Sequence, residues 1–222
     1  QTLLEPVEWT ADGWPQPFGG DLSSPIAKPA NLRAQQHGTA LSDDFSRPRF
    51  GIQWAFYSPG PDEMRRVRLS GDRLHMRAKG VSPADASPLC CIAGDQRYRV
   101  EVDVDVDEGA EAGLLLFYNR RLYAGLGFDE RRFIMHRYGL SAPRGGSSSA
   151  RSMRIRLTND RNILTMHTSP DAGATWRKFD VQMEVSGYHH NVAYDFLSLR
   201  PALYAAGSGE ARFSNFTYRA LT

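Results

Sequence analysis

The residues best equipped for chemistry lie together in one stretch, Ser186-Gly187-Tyr188-His189-His190-Asn191-Val192-Ala193-Tyr194-Asp195-Phe196-Leu197-Ser198-Leu199-Arg200-Pro201. Two histidines, an asparagine, two tyrosines, a phenylalanine and an arginine share a loop-to-strand segment. That mixture suits sugars, because aromatic faces lie on pyranose rings while planar polar groups hydrogen-bond the hydroxyls. Tyr188, His189, His190, Asn191, Tyr194, Phe196 and Arg200 are therefore the candidate sugar contacts. The competing reading makes Tyr188 and Phe196 core anchors and the histidines ordinary surface residues. A second group, Phe117, Tyr118 and Asn119 with Tyr123 and Phe128, either lines a face with the first or fills the core.

Ser169-Pro170-Asp171-Ala172-Gly173-Ala174-Thr175-Trp176 fits S-x-D-x-G-x-x-W, the Asp-box hairpin signature. Its content is a turn: the aspartate caps backbone donors, the glycine takes a positive φ, and the tryptophan packs back on the hairpin. Asp171 is read as a turn residue and not as a catalytic one. In Leu41-Ser42-Asp43-Asp44-Phe45 two acids stand beside a strand. Asp43 and Asp44 are candidates for a structural calcium ion, Ca2+, which takes oxygen ligands; the alternative is a plain surface turn.

A glycosidase needs two carboxylates at a fixed separation. Here Glu101, Asp103 and Asp105 fall on a solvated strand face, and Asp62, Asp72, Asp85 and Asp107 fall in turns. No G-x-S-x-G elbow, Walker loop, dinucleotide fingerprint, His/Cys zinc spacing or H-E-x-x-H occurs. The charge balance, 27 Lys+Arg against 25 Asp+Glu, gives a net charge of +2. Nucleic acid and anionic membrane are poor partners for such a chain, because phosphate binding needs a clustered positive excess. Its two cysteines, Cys90 and Cys91, are adjacent, so no disulfide framework is readable and a reducing, cytoplasmic compartment is favoured over secretion.

These residues need a scaffold. The chain has 222 residues, 41% hydrophobic and 11% aromatic, enough for one large domain. Residues 1–40 are rich in proline and glycine and read as an irregular linker. Its Trp9, Trp14 and Phe18 are expected to lie against another surface. From 41 to 222 short extended runs alternate with turn residues. In Tyr98–Val106 strict alternation places Tyr98, Val100, Val102, Val104 and Val106 on one face and four charged residues on the other. Met153–Leu157 repeats the pattern, and Ala112–Tyr118 is apolar on both faces, as in a strand covered from both sides. Further strands are expected at Gly51–Tyr57, Arg73–Ala78, Leu89–Ile92, Leu122–Phe128, Phe133–Tyr138, Ile163–Thr168, Trp176–Met183, Phe196–Leu199, Ala202–Ala205 and Ala211–Tyr218, with no helix. Gly145–Ser149 reads as a loop tip. The fold class is all-β, a two-sheet antiparallel β-sandwich of the jelly-roll kind.

The stretch Thr2–Pro15, TLLEPVEWTADGWP, resembles the tail of the catalytic propeller of glycoside hydrolase family 43 β-xylosidases. The rest of the chain is similar to their C-terminal concanavalin-A-like module, which is also classed as carbohydrate-binding. The resemblance runs through LSDDFS, GIQWAFY, SPL before the double cysteine, AGLLLFYN, YAGLG, the Asp-box turn, EVSGYHHNV and FLSLRPALYAAGSGEARFSNFTYR. It implies a jelly-roll module attached to a propeller of the same polypeptide that holds the catalytic carboxylates. The isolated chain is then expected to be inactive, with xylan or xylo-oligosaccharides as its partners; independently, the first residue, Gln1, suggests a fragment of something longer. In the family one module loop carries an aromatic that closes over the substrate pocket. His189–Phe196 matches that loop, with Phe196 as the lid and Tyr194 as the alternative. The sequence departs from the family where Val192-Ala193-Tyr194-Asp195 replaces a more glycine-rich stretch, which puts the loop's conformation in question.

Overall fold

A computed structural model of the chain describes residues 5–17, 19, 40–144 and 151–221. The expected loop tip at Gly145–Ser149, Phe18, and most of the expected linker lie outside the described residues. The chain divides into two units, Gln1–Gly38 and Thr39–Thr222. In the first, β1 (Val7–Trp9) pairs with β2 (Pro15–Pro17) in an antiparallel ladder, closed by hydrogen bonds between Thr10 and Trp14. Trp9 and Trp14 are both exposed.

The second unit holds β3 (Trp54–Phe56), β4 (Val67–Leu69), β5 (Leu74–Arg77), β6 (Leu89–Cys91), β7 (Arg97–Val106), β8 (Ala110–Asn119), β9 (Leu122–Phe128), β10 (Phe133–Arg137) and β11 (Leu140–Arg144). It continues with β12 (Ser152–Asp160), β13 (Ile163–Ser169), β14 (Arg177–Lys178), β15 (Met183–Glu184), β16 (Arg200–Gly207) and β17 (Glu210–Ala220). One sheet runs β11-β10-β9-β8-β16-β6-β3. The other runs β14-β13-β12-β7-β17-β5-β4, with β15 beside β13. Every pairing is antiparallel, and the two sheets form a sandwich.

The alternation in β7 decides which way it faces. Val100, Val102, Val104 and Val106 are fully buried in the core between the sheets, each contributing roughly 1.5–3 kcal/mol by burial. On the outer side Glu101 and Asp103 pair with Arg154 and Arg156 of β12. β8 is covered on both sides. Leu114, Leu116 and Tyr118 face the main core, while Leu115 and Phe117 join Cys90, Tyr123, Ala202 and Tyr204 in a second cluster on the outer face of the seven-stranded sheet. Gly127 makes room for that cluster, since a Cβ there would lie 1.9 Å from the Tyr204 hydroxyl. The segment 79–88 packs over it through Ala84 and Ala86.

Some elements differ from the expected pattern. Phe196–Leu199 is not a strand; the chain joins the sheet only at Arg200, where backbone pairing with Phe117 of β8 begins. Trp176–Met183 yields only the two-residue β14, with β15 starting at its end. Strands β4 and β11 lie outside the expected runs, being too short for their patterns to stand out, and among the described residues two helical turns interrupt the strands, a 3-10 turn at Glu63–Arg66 and α1 (His190–Ala193). Among the described residues no helix is long and apolar enough to cross a membrane.

Candidate functional site

The stretch from β15 to β16 is built by local hydrogen bonds. His189 is extended and caps α1, its Nδ1 accepting the Asn191 N–H at 3.2 Å. Val192 and Ala193 donate to the His189 carbonyl, and Tyr194 donates to that of His190 at 2.7 Å. The helix then ends on Tyr194 in the left-handed conformation, φ 60°. Glycine takes that conformation freely, whereas a side chain there is strained by about 1 kcal/mol or more. This is where the stretch departs from a glycine-rich sequence.

Past the reversal at Tyr194, Asp195 stays exposed but is tied to the end of β8. The Tyr118 hydroxyl donates to the Asp195 carbonyl, and the Asn119 amide donates to Oδ2 of Asp195 at 2.5 Å. The two flanking rings are left outside: Tyr194 is 88% and Phe196 94% exposed. Phe196 lies parallel to His190, with centroids 5.6 Å apart and planes 12° apart. Val192 and Asn191 are exposed alongside.

The candidate contacts therefore separate. His190, Asn191, Tyr194 and Phe196 share the exposed loop, and His189 is its half-buried cap. Tyr188 is 3% exposed in the main core, and its hydroxyl accepts the Tyr138 N–H at 2.9 Å. Burial pushes the Tyr188 phenol up to about 12. Arg200 is half-buried at the start of β16, where its Nε and Nη2 are enclosed with no hydrogen-bond partner among the described residues. Of the second group, Tyr118 and Phe128 are in the main core and Phe117 and Tyr123 in the outer-face cluster.

Beside the loop lies a polar cleft of about 270 Å³ lined by Tyr57, Asn119, Arg120, Arg121, Ala193 and Asp195. Tyr57, Arg120 and Arg121 were not anticipated. The one available signal was the doublet of arginines in the tight turn between two apolar runs.

A larger cleft, about 640 Å³, opens at Asp43 and Asp44. Asp43 accepts the Phe45 N–H and the Trp54 indole N–H, each at 2.8 Å, while Asp44 accepts from the hydroxyl and N–H of Ser46. The Ser46 hydroxyl, helped by its N–H, holds the Asp44 carboxyl below its usual range. Three of the four carboxylate oxygens thus serve the turn, and no group of three or more His, Cys, Asp or Glu side chains converges as a metal site among the described residues.

The Asp-box turn is self-contained. Ser169 donates to Asp171 at 2.6 Å, Thr175 donates through both its N–H and its hydroxyl, and Gly173 turns at φ 97°. The Ser169 and Thr175 hydroxyls lower the Asp171 carboxyl to about 2. Trp176 packs under the Arg156 guanidinium at 3.6 Å.

No protein-family model matches the sequence, and no curated protein matches it. Among solved structures the chain is similar to the GH43 BlXynB protein of Bacillus licheniformis, at 20% identity over 98% of this chain and a TM-score of 0.78. It is similar also to a xylan β-1,4-xylosidase of Bacillus halodurans C-125, at 18% identity over 97% of this chain and a TM-score of 0.73. A bifunctional GH43-CE protein of Bacteroides eggerthii matches at 22% identity over 98% of this chain and a TM-score of 0.73. The chain spans 46% of each of the first two proteins and 30% of the third. At such identities the likeness is one of fold: the chain has the two-sheet β-sandwich that makes up about half, or less, of these GH43 proteins.

Proposed function

We propose that residues 41–222 are the accessory β-sandwich of a GH43-type glycoside hydrolase, with residues 1–40 the tail of its catalytic domain. On this reading the module binds xylan or xylo-oligosaccharides through the 189–197 loop and closes the parent's pocket with Phe196. The observation that carries it is an aromatic pair, Tyr194 and Phe196, almost wholly exposed on a loop anchored by Tyr118 and Asn119. Exposed rings on a fixed backbone gain area when a xylose ring covers them, with little ordering left to oppose binding. His190 and Asn191 stand beside them to hydrogen-bond hydroxyls. Catalysis belongs to carboxylates of the parent's propeller, a β-xylosidase or α-arabinofuranosidase in class, and the module alone turns nothing over.

Calorimetry of the 222-residue chain with xylohexaose and soluble xylan, with cellohexaose as control and in calcium or chelator, tests this reading. Selective heat with the xylo-ligands, at an affinity that Phe196→Ala weakens about tenfold, is expected. A folded chain that gives no heat with any sugar overturns autonomous binding.

A second reading makes the module a structural clamp on the propeller with no sugar affinity. The exposure of Trp9 and Trp14, 72% and 71%, favours it, since rings of that size call for a partner surface. Substituting both by serine in the full-length enzyme then lowers its Tm without changing sugar binding.

A further inference from the structure

We propose that the cleft between the Asn119–Leu122 turn and residues 193–195 holds a carboxylate, that of a uronic acid residue borne on the sugar chain. The inference rests on the reading that the 189–197 loop receives sugar, and it names the class of sugar. Arg120 and Arg121 both line the cleft. The sole side-chain hydrogen bond of either is from Arg120 to the Ser58 hydroxyl at 3.5 Å, and neither joins an ion pair among the described residues. The one acid in the lining, Asp195, is engaged by the Asn119 amide, and the Asn119 carbonyl oxygen is taken by the N–H groups of Arg121 and Leu122. The lining thus has two unpaired guanidinium groups and no free amide.

A third cation enters the same end of the sheet. Arg200 is backbone-paired with Phe117, whose ring meets the cleft-lining Tyr57 edge-on at 5.0 Å. Enclosing Nε and Nη2 of Arg200 without an acceptor is costly, because a buried donor loses its water and gains nothing in return. Neutral hydroxyls satisfy single donors but leave three arginine charges facing the single carboxylate of Asp195. A carboxylate supplies two acceptor oxygens in the plane that a guanidinium fork matches, and it carries the opposite charge. Ala193 and Asp195 flank Tyr194, so an acid residue in the cleft sits next to the exposed rings that would stack on the neutral sugars.

The test is titration of the 222-residue chain with a xylotetraose bearing one glucuronyl branch and with its carboxyl-reduced counterpart, at low salt. The chain is expected to bind the acidic form about tenfold more tightly, equivalent to about 1.4 kcal/mol. The double variant Arg120→Gln/Arg121→Gln, at exposed positions that leave Tm unchanged, is expected to bind both forms as the parent chain binds the reduced one. Equal binding of the two sugars by the parent chain overturns the carboxylate site and spares the sugar-binding loop. An acid preference that survives in the double variant places the carboxylate elsewhere and overturns the cleft. Failure of both sugars to bind overturns the inference together with the reading beneath it.

Discussion

Two irregular segments lie beside the seven-stranded sheet and are held in opposite ways. In segment 79–88 nearly every polar group is tied inward. Lys79 and Arg66 both reach the buried Glu63, Arg66 also donates to the carbonyls of Arg77, Ala86 and Ser87, and Asp85 takes the N–H groups of Val81 and Ser82. Backbone bonds from Lys79 to Ala205 and from Gly207 to Gly80 stitch it to β16. The segment thus covers Phe117, Tyr123 and Tyr204 with small side chains. The 189–197 segment, by contrast, is fixed at Asp195 and at its helical turn and turns its large apolar side chains to solvent. One arrangement stabilises the sheet; the other presents it.

The largest effect is expected from the covering segment. Glu63→Gln leaves Arg66 and Lys79 without their counter-charge and lowers stability by about 3 kcal/mol, as for other broken buried pairs, read as a fall in Tm. Burial alone would raise the Glu63 carboxyl, but the hydrogen bonds from Lys79 and Arg66 outweigh it and the net shift is downward from 4.5. A depressed carboxyl contributes stability that is fully present above pH 4.5 and lost as pH falls through the lower folded value. The acid limb of the stability curve should therefore be flatter in the variant; an unchanged limb breaks the account of Glu63 as the counter-charge of Arg66 and Lys79.

Phe196→Ala is expected to do the reverse: xylohexaose binding weakens about tenfold, a change of about 1.4 kcal/mol, while stability stays within about 0.5 kcal/mol as at other exposed positions. A comparable loss of Tm would show that the ring is structural after all, and the contrast between the segments would collapse. Smaller again is Tyr118→Phe, which deletes the hydroxyl that anchors Asp195 and costs about 1 kcal/mol, with weaker sugar binding because the loop loses its fixed backbone. The smallest signal is chemical. Burial pushes the Cys90 thiol up to about 11, so thiol reagents at pH 8 should leave it unlabelled in the native chain. Labelling should rise in Glu63→Gln if segment 79–88 is what shields the cluster around Cys90.

The sandwich was legible wherever one strand carried its own pattern. The alternation of Tyr98–Val106 announced a half-buried strand, and the two-sided apolar run Ala112–Tyr118 announced the strand with a core on each face. The Asp-box turn was equally plain, because its hydrogen bonds join residues within four positions of one another. What failed was local ambiguity: Phe196–Leu199 is apolar enough for a strand, yet its backbone is led away from β8 by the left-handed Tyr194 and the anchor at Asp195.

The site shows the same division. Composition alone picked out the 186–201 stretch, since the residue types that suit sugars are concentrated there. It could not separate Tyr188, held in the core by the Tyr138 N–H, from Tyr194 and Phe196, which face water six and eight residues later. Nor could it place Arg120, Arg121 and Tyr57 beside Asp195, more than seventy residues away from it in sequence. Sequence determined most of the strands, the turn chemistry and which stretch is the candidate for ligand contact, because those depend on periodicity and side-chain type. Tertiary structure decided which rings are covered and which cations stay unpaired, because burial and pairing depend on what folds against a residue from far along the chain.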